Sequence, residues 1–184
     1  MDIDAAGIER AREAALRLLE RSRKTRRELE RRLAAKGFDG PTAAVALDRL
    51  QRVGLIDDVE YARAFVRGKM ARRAVALRVV EGQLAARGVS AADRTAALAA
   101  LDMEAARAPD DPEAGLRRTG GAGERARAEQ ALAPLLRRYR ELDPREARGK
   151  AYAALLRRGF DHATVREAVA AVLDRIHPGD PEIQ

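Results

Sequence analysis

Apolar residues recur along this chain at the helical period, and no convincing strand interrupts them. Over residues 6–21, Ile8, Ala11, Ala15, Leu18 and Leu19 fall near three- and four-residue spacing and predict a first helix. Thr25 predicts the N-cap of a second helix, with Glu28 three residues later as its capping-box partner. Leu29 and Leu33 share one face of that helix, and Gly37 stops it. A third helix is expected from Pro41, a good first residue, carrying Ala43, Ala46, Leu47, Leu50 and Val53. The segment Gly54–Glu60 predicts a turn, with Asp57 as a cap, into a helix through Tyr61, Ala62, Phe65, Val66 and Lys69. Further helices are predicted over about 74–87 and 91–103. Residues 105–123, with Pro109, Pro112, Gly115, Gly120, Gly121 and Gly123, read as a flexible, turn-rich linker. Three helices follow at about 124–140, 144–158 and 162–176. In the last, Val165, Ala168, Val169, Val172, Leu173 and Ile176 keep the period throughout. The expectation is an all-α chain of about nine helices.

One motif occurs three times: Leu33…Lys36-Gly37-Phe38, Leu84…Arg87-Gly88-Val89 and Leu155…Arg158-Gly159-Phe160. In each the Leu packs inward and a cation faces the negative end of the helix. Gly permits a left-handed turn, an apolar residue plugs the junction, and Asp39, Ser90 or Asp161 starts the next helix. The glycines are 51 and then 71 residues apart, and the 20 extra residues nearly match the linker. Three tandem three-helix modules give the simplest account. The expected boundaries are 1–56 for the N-terminal helix plus the first repeat, 57–104 for the second, 105–123 for the linker, 124–177 for the third and 178–184 for a tail. Asp57 and Asp58 are the expected cap between the first two repeats.

Composition sharpens that picture. Hydrophobic residues make up 46% of the 184, but aromatics only 3%, and Trp is absent. An interior of Ala, Leu and Val suits closely packed helices better than a β-sandwich. The absence of Cys excludes disulfides and thiolate chemistry. No apolar run approaches the roughly 20 residues needed to cross a bilayer, and the acidic start Met1-Asp2-Ile3-Asp4 lacks the features of a secretory signal. A cytoplasmic protein without membrane association is expected. His162 and His177 are the only histidines, and neither has a metal-ligand partner at useful spacing. Gly120-Gly121-Ala122-Gly123 lacks the Lys-Ser/Thr of a phosphate loop and reads as a loop. The expectation is no catalytic residue, no cofactor and no metal. Tyr61, Phe65 and Tyr139 are too scattered for a base-stacking platform and read as core or groove-lining.

Charge is the remaining signal. The net charge is +7, carried by four Lys (Lys24, Lys36, Lys69, Lys150) and otherwise by Arg, and it favours a polyanionic partner. A GC-rich genome raises Arg and Ala together and bears on the choice of Arg over Lys; it explains the net charge less well. Three patches recur with the repeat: residues 21–36 and 63–87 at +6 each, and 137–158 at +5, against −4 over 102–113. The candidate contacts are Arg23, Lys24, Arg26, Arg27, Arg31, Arg32 and Lys36 in the first patch. Arg67, Lys69, Arg72, Arg73 and Arg78 follow in the second, and Arg137, Arg138, Arg148, Lys150, Arg157 and Arg158 in the third. Together they could form a stripe along an elongated molecule. The plainer alternative is a set of solvated helix faces stabilised by pairs such as Glu28 with Arg32. Base readout leans on Asn and Gln; the chain has no Asn, and its four Gln are dispersed, which weighs against a sequence-specific helix-turn-helix binder. A protein-binding helical scaffold without DNA affinity is the other alternative.

In their order, the motifs resemble the RecX family of bacterial recombinase regulators, over about residues 11–175. They are Lys24-Thr25-Arg26-Arg27-Glu28-Leu29 leading to Leu33 and Lys36-Gly37-Phe38; Leu55-Ile56-Asp57-Asp58-Val59-Glu60-Tyr61-Ala62-Arg63-Ala64-Phe65-Val66; Gln83-Leu84 with Arg87-Gly88-Val89; and Leu155 with Arg157-Arg158-Gly159-Phe160. The resemblance implies a curved, elongated stack of three-helix repeats. It further implies binding in the groove of a RecA–single-stranded-DNA filament, damping ATP hydrolysis and strand exchange. The implied partners are the recombinase filament and, weakly and without sequence preference, single-stranded DNA; the chain itself is expected to be a monomer. Ala76 and Gln83 depart from the family's usual Gly and Glu, and the 105–123 insertion is long.

Overall fold

The computed structural model describes residues 4–72, 74–107 and 118–176, with the backbone alone at 71 and 72. Within them the helices are α1 (Ala5–Arg21), α2 (Arg26–Ala34), α3 (Gly40–Arg52), α4 (Asp58–Arg72), α5 (Leu77–Ala86) and α6 (Ala91–Arg107). After these come α7 (Gly121–Leu132), a 3-10 turn (Ala133–Leu135), α8 (Leu136–Arg140), α9 (Pro144–Arg157) and α10 (His162–Leu173). Because α7, the 3-10 turn and α8 follow without a break, the described residues hold nine helical rods, and no strand.

Several spans differ from the periodicity, among them the helices expected over 74–87 and 162–176, which run Leu77–Ala86 and His162–Leu173. The predicted helix over 124–140 begins at Gly121 and is interrupted where Pro134, lacking an N–H, cannot continue an α-helical ladder. The glycine run expected to be a loop therefore opens α7. Gly123 is buried there, where a β-carbon would collide with the Arg118 carbonyl. Helix α6 also continues to Arg107, and Gly40 rather than Pro41 is the first residue of α3. Of the expected linker, residues 108–117 lie outside the described residues.

Local chemistry sets the helix ends. Thr25 and Glu28 close a reciprocal capping box on α2, so Glu28 folds back on the cap instead of pairing with Arg32. Asp39 and Asp161 accept N–H groups of the helices they start. Those bonds, from Thr42 and from Thr164 first, hold both carboxyls below the ordinary value. At the other end, Gly37, Gly88 and Gly159 take φ of 88°, 83° and 87°. In each the following residue's N–H reaches back five residues: Phe38 to Leu33, Val89 to Leu84 and Phe160 to Leu155. This is the Schellman closure, and Gly54 (φ 73°), with Leu55 bonded to Leu50, makes a fourth.

The chain packs as two compact units. Unit 1 comprises Met1–Phe65 and Gln83–Ala97; unit 2 comprises Val66–Gly82 and Leu98–Gln184. In unit 1, α3 lies against α1 and α2. Leu29, Leu33, Leu47, Leu50 and Ile56 fill the space between them, and Ala15 and Ala43 let the helices approach closely. Each Leu removed from water there contributes roughly 1.5–3 kcal/mol. In unit 2, α10 packs on α7 and α9 around Phe160, Leu132, Leu155, Val165 and Leu173.

Candidate nucleic-acid interface

The repeat positions its helices through one joint, built twice. Thr25 and Ala76 each stand twelve residues before the glycine of their own module, Gly37 and Gly88. In unit 1 the buried Thr25 hydroxyl donates to the Arg87 carbonyl at 2.7 Å, and the Arg26 N–H donates to the Asp58 carboxylate at 3.0 Å. In unit 2 the Ala76 N–H donates to the Arg158 carbonyl at 3.2 Å, and the Leu77 N–H to the Glu124 carboxylate at 3.2 Å. The carbonyl used is in both cases that of the cation before the next module's glycine. A β-carbon at Gly88 would collide with the Arg27 side chain, and one at Gly159 with Val79. These glycines are therefore required by close approach as well as by backbone conformation.

The joint fixes what the acids at positions 57, 58 and 124 do. Asp57 caps α4 by accepting the Glu60 N–H at 2.8 Å. Asp58 bonds across to α2 instead, and burial pushes its pKa up, only partly offset by the Arg26 amide. Glu124 is ion-paired with Arg127, whose side chain is 1% exposed and which also donates to the Arg118 carbonyl. Arg87 lies over the Phe65 ring, 4.6 Å from its centroid, and Phe65 stacks with Tyr61. Both rings stand on α4, and Arg87 follows the last residue of α5.

The expected basic contacts divide into cations that the fold occupies and cations that it leaves outward. In unit 1, Arg26 bonds Asp48 at 2.7 Å, Gln51 at 2.7 Å and Glu30 at 3.2 Å. Burial opposes its charge, but the two carboxylates outweigh that and raise its pKa. Arg23 lies 3.6 Å from Glu60, Lys24 donates to Ser22, and Arg27 lies 3.8 Å from Glu30. Arg31, Arg32 and Lys36 are exposed and take part in no ion pair among the described residues.

In the second patch Arg67 pairs with Glu104 at 3.2 Å, and Lys69 is half-buried. Arg78 donates to the Gly159 carbonyl and so belongs to the joint of unit 2. The Arg72 side chain and Arg73 lie outside the described residues.

The third patch contains a groove of about 490 Å³ into which Arg138, Lys150, Arg157 and Arg158 converge. Lys150, Ala154 and Arg157 share one face of α9 by their spacing, and α8 brings Arg138 to the same place. Leu135 and Ala154 supply apolar lining, and no carboxylate lines the groove. Lys150 pairs with Glu146 at 2.6 Å, both more than two-fifths exposed, and Arg158 donates to the Ala154 carbonyl at 3.3 Å. Arg137 is exposed with no ion pair among the described residues, and Arg148 pairs with Asp174 at 3.0 Å.

Other chemistry is sparse. His162 opens α10 with Nδ1 2.6 Å from the Tyr152 hydroxyl, and His177 lies outside the described residues. Among the described residues no cluster of acids and histidines could hold a metal ion, and no helix is long and apolar enough to cross a membrane. Sequence reasoning missed Glu124 and Arg127, which sit just past the presumed linker. The signal for the joint was the shared offset of Thr25 and Ala76 from their glycines.

Comparison with known proteins agrees with this three-module order. Family models of the first, second and third three-helix domains of RecX match residues 11–50, 57–98 and 123–169. A regulatory protein RecX of Mycolicibacterium vanbaalenii is 34% identical over 171 residues, covering 90% of this chain and 83% of its own. That of Mycobacterium leprae is 35% identical over 167 residues, covering 90% and 86%. The crystal structure of RecX from Lactobacillus salivarius matches with a TM-score of 0.74 at 20% identity, covering 92% of this chain and 98% of that one. A second crystal structure, of regulatory protein RecX, gives 0.67 at 18% identity over 91% and 80%. At such identities the solved structures show the fold alone. Matched module by module in sequence order, and by relatives of this identity over most of its length, the chain belongs to the RecX family of regulatory proteins.

Proposed function

We propose that this protein is a non-enzymatic modulator of a RecA-type recombinase. It binds in the groove of the recombinase–single-stranded-DNA filament and damps ATP hydrolysis and strand exchange. It acts in the cytoplasm, as a monomer, with weak and sequence-indifferent affinity for the DNA. The observation that carries this reading is the set of exposed cations the fold does not neutralise, Arg31, Arg32 and Lys36 in unit 1 and Arg137, Arg138 and Arg157 in unit 2, on a chain of the RecX family. Guanidinium groups without an internal carboxylate keep their donors for phosphate or for an acidic surface. Cations already bonded within the fold, such as the half-buried Arg26 and the exposed Arg78, contribute mainly to shape.

The test is ATP hydrolysis by the cognate recombinase on single-stranded DNA while this protein is titrated in. Substoichiometric inhibition is expected, weakened when Arg31, Arg32 and Lys36 are replaced together by Ala. No effect of folded protein on active recombinase would overturn the reading.

A further inference from the structure

We infer that the groove between α8 and α9 in unit 2 is a seat for the phosphodiester backbone of a single nucleic-acid strand, with Arg138, Lys150, Arg157 and Arg158 as its cationic walls. This deepens the proposed function, on which it rests for its biological setting, by naming the segment of the chain that takes the DNA. Three properties of the groove point the same way. Its four cations come from two helices and converge on one space, no carboxylate is among its lining residues, and among the described residues only Lys150 of the four is engaged by an acid, Glu146. Its volume of about 490 Å³ lies within the roughly 300–1,000 Å³ of clefts that hold small ligands, enough for a short piece of strand. Part of its lining is apolar, Leu135, Ala153 and Ala154, which suits the sugar and base faces that accompany phosphates in a single strand.

Arg157 is exposed at the end of α9 and Arg138 is exposed on α8, so both guanidiniums are free to turn toward a phosphate. Arg158 is held by the Ala154 carbonyl and serves as a fixed donor at one side. Lys150 shares its ammonium with Glu146 in a largely exposed pair, which a phosphate can displace at little cost. Free nucleotides carry the same phosphate chemistry, and the measurement separates the two sources.

The measurement is fluorescence anisotropy of a short labelled oligo(dT) with the full chain, as a function of salt. In the groove variant Arg138, Lys150 and Arg157 become Ala together; Arg158 is left in place because it supports the backbone. The control variant replaces Arg10, Arg12 and Arg17 of α1 by Ala, removing the same three charges from a face with internal acidic partners. The groove variant is expected to bind about tenfold or more weakly at low salt, with a salt slope smaller by about 2, since each single-strand phosphate contact contributes about 0.7. The control is expected to lose less than about threefold, the general effect of lower net charge. The single substitution Arg157→Glu, at an exposed position, gives the same direction without a triple change.

Equal losses in groove and control variants would overturn the inference, since net charge alone would then explain binding. It would also be overturned if duplex DNA, or ATP at matched phosphate concentration, competed as well as oligo(dT). The recombinase assay keeps the two readings apart. A groove that binds the strand in a protein without effect on the recombinase leaves the inference standing and removes the proposed function. Inhibition by a protein whose groove variant binds DNA like the parent does the reverse.

Discussion

The joint in unit 1 and the joint in unit 2 do the same geometric work with different side chains. Both hold the start of one module's second helix against the end of the next module's second helix, through the same two repeat positions and the same close-packed glycine. Unit 1 uses a side-chain hydroxyl, Thr25, which also accepts the Glu28 N–H of the capping box. Unit 2 has Ala76 at that position, and the backbone N–H makes the bond instead. The acids differ as well. Asp58 is half-buried with its pKa pushed up by desolvation, whereas Glu124 is matched by the almost fully buried Arg127. The repeat thus keeps backbone positions and space, and lets chemistry vary wherever another group can supply the same bond.

Breaking the ion pair of unit 2 gives the largest expected effect. Glu124→Ala removes the carboxylate from a nearly buried Arg127 and from the Leu77 N–H, costing about 3–5 kcal/mol in urea denaturation. No single acid in unit 1 should match that.

Next come the glycines. Gly88→Ala and Gly159→Ala each combine a left-handed residue with a collision and should cost about 3 kcal/mol by the same measurement. Gly37→Ala, with nothing within 4 Å of its added carbon, should cost only about 1 kcal/mol. Equal losses at all three would refute the close-approach part of the comparison.

Thr25→Val keeps the buried shape but strips two hydrogen bonds, for about 2 kcal/mol. Ala76→Val at the equivalent position removes no hydrogen bond, so any loss there would have to come from packing.

The smallest effect is a pH dependence. The folded pKa of Asp58 is raised, so its contribution to stability is present below the ordinary carboxylate value near 4 and is lost as pH rises through the folded value. Asp58→Asn should therefore gain thermal stability relative to the parent between acid and neutral pH. Asp161→Asn should move the opposite way, because the folded pKa of Asp161 is lowered and its contribution appears above the ordinary value. Parallel profiles for the two variants would contradict both assignments.

Much of the fold was legible because its signals are local. The capping box at Thr25 and Glu28, the glycine stops and the periodic apolar faces each act within a turn or two of helix. Where reading along the chain fell short, a contact that periodicity does not report was responsible. Gly123 looked like loop chemistry because nothing nearby reveals that Arg118 packs against it at the start of a helix. Asp58 reads as a cap between repeats, but only packing shows that the amide it caps is that of Arg26, the first residue of α2, 32 residues earlier. The candidate site was legible only as a surplus of cations. Arg26 and Arg31 are indistinguishable in sequence, but one is enclosed by Asp48, Gln51 and Glu30 while the other is exposed with no ion pair among the described residues.

Taken alone, the sequence determined an all-α chain of three modules, the glycine at the close of each and a basic balance in search of an anion. Each of these follows from backbone preferences or from totals that folding does not alter. Only the tertiary structure decided which cations the fold consumes and which converge. It ties Arg78 to Gly159 and brings Arg138 beside Arg157, because ion pairing and cavity formation depend on groups that the chain separates and packing reunites.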